Sequence, residues 1–138
     1  MALPTTNEII VDLEFLDDWE QRYQYIIDLG KELPGLPDDQ KLDQYKVRGC
    51  QSSVWLISEE LDDGRLHFKV DSDAVIVQGL LALVLAAYDN KTAEDIRNFD
   101  IDGYFLQLDL ERHISPTRGN GLRAIVGTIQ NQAAAVGN

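Results

Sequence analysis

The sequence predicts an α+β domain in which a small antiparallel sheet of about three strands is packed on one face by helices. Three observations carry this expectation. Apolar residues recur at helical spacing up to Leu33, strand-forming residues then fill two stretches between Tyr45 and Val70, and an almost wholly apolar run from Ala74 to Tyr88 opens a second helical half. At 138 residues and 44% hydrophobic content the chain can fill one core. No repeat, linker or shift in composition divides it, so one domain is expected over 1–138.

Each element has a local reason. Asn7 is a candidate cap for a short helix carrying Ile9, Ile10, Leu13 and Leu16. Asp17, followed three residues later by Glu20, resembles a capping box, and Trp19, Tyr23, Ile26, Ile27 and Leu33 form the stripe of a second helix that ends at Pro34-Gly35. Leu36 to Gln44 lacks periodicity and reads as a loop. From Tyr45 to Leu61 strand formers lie on both sides of Gly49-Cys50-Gln51-Ser52, so Cys50 is expected at a break between extended segments. Asp62-Asp63-Gly64 reads as a hairpin turn into a strand in which Leu66, Phe68 and Val70 alternate with Arg65, His67 and Lys69.

Asp71-Ser72-Asp73 supplies candidate caps for the apolar helix from Ala74 to Tyr88, which is too short for the ~20 apolar residues of a membrane crossing. Thr92 with Asp95 opens another short helix, whereas Ile101 to Leu110 stays an unassigned connector. Ser115 caps the last helix with Pro116 at its first position, Leu122, Ile125, Val126 and Ile129 face inward, and the tail from Gln132 is expected to fray.

Composition narrows the function. With 24 acidic and 12 basic residues, the formal charge of -12 repels phosphate backbones and anionic lipid, so neither nucleic acid nor membrane is an expected partner. The opening MALPTTNEIIVDLEF has no basic n-region or continuous apolar h-region, and a cytoplasmic location is expected. One cysteine rules out an internal disulfide. His67 and His113 have no ligand spacing with it, so no metal is expected.

Cys50 is then either a small buried hydrophobe or a reactive group. In Val47-Arg48-Gly49-Cys50-Gln51-Ser52, Gly49 gives the backbone freedom to present the thiol, and the charge of Arg48 favours the thiolate. The longer stretch from Tyr45 to Trp55, YKVRGCQSSVW, resembles the active-cysteine signature of the SufE family of sulfur acceptors. Two further stretches resemble that family in the same order: Ser72 to Leu80, SDAVIVQGL, and Ser115 to Leu122, SPTRGNGL. The likeness spans about residues 7 to 130, with small departures at Gly119 and Ile125.

The resemblance implies an acceptor that docks on a cysteine desulfurase of the SufS or CsdA type and takes its persulfide sulfur onto Cys50. It then delivers that sulfur to an iron–sulfur scaffold complex. The acceptor has no cofactor of its own, since pyridoxal phosphate belongs to the desulfurase. The implied fold is the α+β architecture shared with scaffold proteins of the NifU and IscU type. Supporting roles fall to Arg48, Gly49, Gln51, Ser52, Asp73 and Arg118. Asp73 is a helix cap unless the fold brings it beside the cysteine loop. Arg118, a cation at a helix start where the macrodipole gives it no advantage, is either solvated or waiting for an anion. Trp55 is expected in the core and His67 in solvent. Two other readings stay open: an acidic adaptor with an inert cysteine, and a cysteine hydrolase using His67 or His113 as base, which requires imidazole within hydrogen-bond reach of the thiol.

Overall fold

The structure, a computed structural model, describes residues 3–136. Helices α1 (Thr6–Glu14) and α2 (Trp19–Lys31) come first, followed by two single turns of 3₁₀ helix at Asp38–Gln40 and Asp43–Tyr45. Strands β1 (Val54–Glu60) and β2 (Arg65–Ser72) form a hairpin that leads into α3 (Val75–Tyr88). A two-residue strand, β3 (Lys91–Thr92), precedes α4 (Ala93–Asn98), α5 (Ile101–Leu108) and the long α6 (Pro116–Val136).

The sheet is antiparallel in the order β1-β2-β3. Its alternation is the one the sequence shows: Val54, Leu56, Leu66, Phe68 and Val70 are buried, while Trp55, Ile57, His67 and Lys69 on the other face stay partly exposed. The buried face joins one core with α3, of whose 14 residues ten are buried, so α3 is the helix around which the rest is arranged. Helix α2 lies along α3, and glycines set how closely. A Cβ on Gly30 would come within 2.6 Å of the Gly79 nitrogen, and one on Gly79 would strike the Ile26 carbonyl oxygen. The two backbones therefore touch, and each site admits only hydrogen.

Several local expectations change. Thr5, not Asn7, caps α1, in a reciprocal box with Glu8. Asp18 caps α2 through the Gln21 N–H at 2.8 Å, one residue beyond the expected Asp17. The segment before Cys50 is not a strand: it makes a single bridge, Lys46 to Trp55, and the third strand is β3 at the far edge. The unassigned connector is α5, capped by Asp100 through the Gly103 N–H and stopped by Asp109 in the left-handed region. The tail does not fray at Gln132, because α6 runs to Val136 and buries Ala133. Thr92 and Ser115 cap α4 and α6 as the sequence indicates.

Candidate functional site

The cysteine loop begins and ends at fixed points. On one arm the Val47 N–H donates to the Val54 carbonyl at 2.8 Å, next to the Lys46–Trp55 bridge. On the other arm the Ser53 N–H donates to Asp73 Oδ1 at 3.1 Å. The Ser53 carbonyl accepts from the Ser72 hydroxyl at 2.8 Å and the Asp73 N–H at 3.3 Å. Between these clamps Gly49 adopts φ +91°, a left-handed conformation that favours glycine, and its missing Cβ leaves room beside Ala124 of α6. Asp73 is thus a loop anchor and not a helix cap: Ala74 precedes α3 and no side chain caps it.

Cys50 is half-buried and turned toward α6, where its Sγ donates to the Gly121 carbonyl at 3.5 Å. A Cβ on Gly121 would lie 3.5 Å from the sulfur, an ordinary contact distance, so the glycine leaves the helix backbone itself as the thiol's neighbour. The thiol lines a cavity of about 230 Å³. Val77 and Leu80 of α3 and Leu122 and Ile125 of α6 supply its apolar wall. Gln51, Ser52, Ser115, Thr117 and Arg118 supply the polar one. Burial pushes the thiol pKa above its ordinary value, because removal from water penalises the thiolate.

That result corrects the expectation for Arg48. Its exposed side chain lines a separate groove on the other side of the loop arm, and the thiol shifts upward instead of downward. Arg118 does line the cysteine cavity. It is exposed, it has no acidic partner among the described residues, and its backbone N–H donates to the capping Ser115 Oγ at 3.2 Å. Arg118 is therefore the third residue of α6, inside its first turn, and at the mouth of the thiol's cavity. Gly119, the departure noted in the sequence, has open space beside it.

Neither histidine reaches the thiol. The His67 Nδ1 lies 3.0 Å from Asp89 Oδ1, and His113 stacks on Trp19 with ring centroids 3.9 Å apart. The cavity lining contains no imidazole, which removes the base that a hydrolase needs. Trp55 is not in the core: it lies partly exposed on the outer sheet face, with Lys41 Nζ 5.6 Å from its ring centroid. Sequence reasoning missed Val77, Leu80 and Gly121 as cavity residues. A glycine inside α6 did not single out this approach, because Gly119 and Gly127 of the same helix have open space beside them.

Among the described residues no three His, Cys, Asp or Glu side chains gather as a metal site, and no helix is long and apolar enough to cross a membrane. In overall shape the chain is similar to the solution structure of a hypothetical protein from Thermus thermophilus, with a TM-score of 0.77. The match covers 99% of this chain and 98% of that one, and at 20% identity the likeness speaks for the fold alone. A family model described as SufE, Fe-S metabolism associated domain, matches residues 7–133. The match takes in all three motifs together with the cysteine loop, α3 and α6 that meet at the cavity, and the chain accordingly belongs to the SufE family, with a role in iron–sulfur metabolism.

Proposed function

We propose that the protein is a sulfur carrier: Cys50 accepts sulfur from the persulfide of a cysteine desulfurase, and the protein passes it to an iron–sulfur assembly scaffold in the cytoplasm. The observation that carries this reading is the placement of Cys50. The chain's one thiol stands at the turn of a clamped loop, resting over a cavity instead of filling the core. An inert structural cysteine needs neither the loop nor the cavity.

The chemistry requires nothing beyond the two proteins. The Cys50 thiolate attacks the terminal sulfur of the donor's persulfide, a new S–S bond forms to Cys50, and the donor's S–S bond breaks with its cysteine leaving as thiolate. Sulfane sulfur changes hands with no external oxidant or reductant. Pyridoxal phosphate serves the donor's own earlier step. At rest the raised pKa keeps the Cys50 thiol protonated and poorly nucleophilic, which protects it from oxidants. Transfer therefore requires the loop to swing outward into water or toward a cation. Arg118, at the cavity mouth, is the cation that stabilises the thiolate or the persulfide anion as it passes. Gln51 and Ser52 move with the loop and set its polarity, and Gly49 is the pivot.

Incubation with a cysteine desulfurase and cysteine, followed by intact-protein mass spectrometry without reductant, tests the reading. One added sulfur is expected on the wild type and none on Cys50→Ser, with the circular dichroism of the two unchanged. Full stimulation of desulfurase turnover by the serine variant would remove the carrier role from Cys50.

A further inference from the structure

The loop arm that leads into Cys50 has a second side. There, Tyr45 to Arg48, the edge of β1 at Leu56 to Ser58, and Thr128 and Gln132 of α6 enclose a groove of about 430 Å³. None of the groove's residues lines the thiol's cavity.

Three features of this groove are unpaired. The first is the strand edge. Val54 turns its carbonyl away from β2 toward Val47, whereas Leu61 donates across the hairpin to Arg65, so by alternation Val54, Leu56, Ser58 and Glu60 direct their backbone groups outward. Val47 covers the first of these, and among the described residues the backbone groups of Ser58 and Glu60 have no partner. The second is charge. Lys46 and Arg48 are exposed and lack an acidic partner among the described residues, in a chain with twice as many acids as bases. Most other basic side chains here are paired, as Lys69 is with Glu59 at 2.7 Å. The third is Gln132, whose Oε1 is shut off from solvent with no donor.

We infer that this groove is a docking site for an extended acidic peptide segment of a partner protein, which adds as a strand to the free edge of β1. Addition to an exposed sheet edge obtains affinity from main-chain bonds and specificity from the flanking side chains. The segment's backbone pairs with Ser58 and Glu60, its carboxylates meet Lys46 and Arg48, and a peptide N–H supplies the donor that Gln132 lacks once its side chain turns into the groove. Charge complementarity selects the occupant. Lys46 and Arg48 repel a basic segment and attract an acidic one. The site stands independently of the sulfur-carrier reading, since neither the thiol nor Arg118 takes part.

Titration of ¹⁵N-labelled full-length protein with a capped peptide of alternating valine and glutamate tests the inference. Expected shifts are confined to residues 45–48, 56–60 and 128–132, with slowed amide exchange at Ser58 and Glu60. Lys46→Glu weakens binding about fivefold or more, as loss and reversal of one ion pair requires. Lys91→Glu, the same charge change on the remote β3, leaves it unaltered. Free glutamate shifting the same residues without protecting Ser58 and Glu60 would show a simple anion patch and overturn the peptide site. Equal weakening by the two charge reversals, or no confined shifts at all, would overturn it as well.

Discussion

Asp73→Ala separates loop anchoring from helix capping. The carboxylate accepts the Ser53 N–H at 3.1 Å on an exposed part of the surface, so the lost bond is worth about 1 kcal/mol, below the range for charge-assisted bonds shielded from water. Because Ser53 ends the cysteine loop, that loss falls on the opening of the loop and multiplies the open population about fivefold. The assay is the rate at which a neutral alkylating reagent labels Cys50, at concentrations where closing is faster than reaction. Under those conditions the rate follows the open fraction and should rise about fivefold. Even if the whole effect were global, the melting temperature would fall by only about 4 °C for a domain of this size. Asp73→Asn discriminates the cause, since it keeps the acceptor oxygen while removing the charge, and should label nearly as slowly as wild type. Wild-type labelling in Asp73→Ala, or equal acceleration in Asn and Ala variants, refutes the anchoring argument.

Arg118→Ala should leave the melting temperature nearly unchanged while slowing sulfur acceptance from a desulfurase several-fold, with a smaller defect at high salt if the loss is in encounter, because salt screens the charge in the wild type too. A large drop in melting temperature with normal acceptance would make Arg118 structural. Gly79→Ala places a methyl against the Ile26 carbonyl and should cost about 1–3 kcal/mol, read as a fall in urea midpoint with unchanged slope; a neutral result would show that α2 and α3 can slide apart. The thiol's raised pKa predicts a pH effect of definite sign. Closure of the loop favours the protonated thiol, so its contribution is complete below the unfolded value of about 8.5 and fades as pH climbs through the higher folded value. Alkylation against pH should accordingly show a midpoint above that of an unstructured cysteine peptide, and a midpoint below it would place a cation against the resting sulfur.

The hairpin, the central helix and the cap at Ser115 were legible because each rests on a local rule: alternation in Leu66, Phe68 and Val70, an unbroken apolar run, and a serine followed by proline. Cys50 was legible through its motif. What surrounds it was not, because Gly121 and Leu80 meet the loop only after α3 and α6 have packed, and no spacing in the chain encodes that meeting. Asp73 shows the same limit from the other side. Asp71, Ser72 and Asp73 are all good capping types, yet Asp71 accepts from the Leu36 N–H at 2.9 Å and Asp73 from Ser53, leaving Ala74 at the cap position. Arg48 failed for a related reason: proximity in sequence to the cysteine did not carry its charge into the cavity.

The contact between Cys50 and Gly121 spans 71 positions of chain, and its shelter needs the loop, α3 and α6 together. Closing so long a separation is costly in chain entropy, so during refolding it follows the local hairpin and helices instead of leading them. A chain still folding therefore presents its only thiol naked for as long as α6 has not docked. Pulsed alkylation after dilution from urea makes that interval measurable. Cys50 should lose reactivity only with the slowest spectroscopic phase, and protection appearing with the first helical signal would mean that the thiol finds cover before its cavity exists.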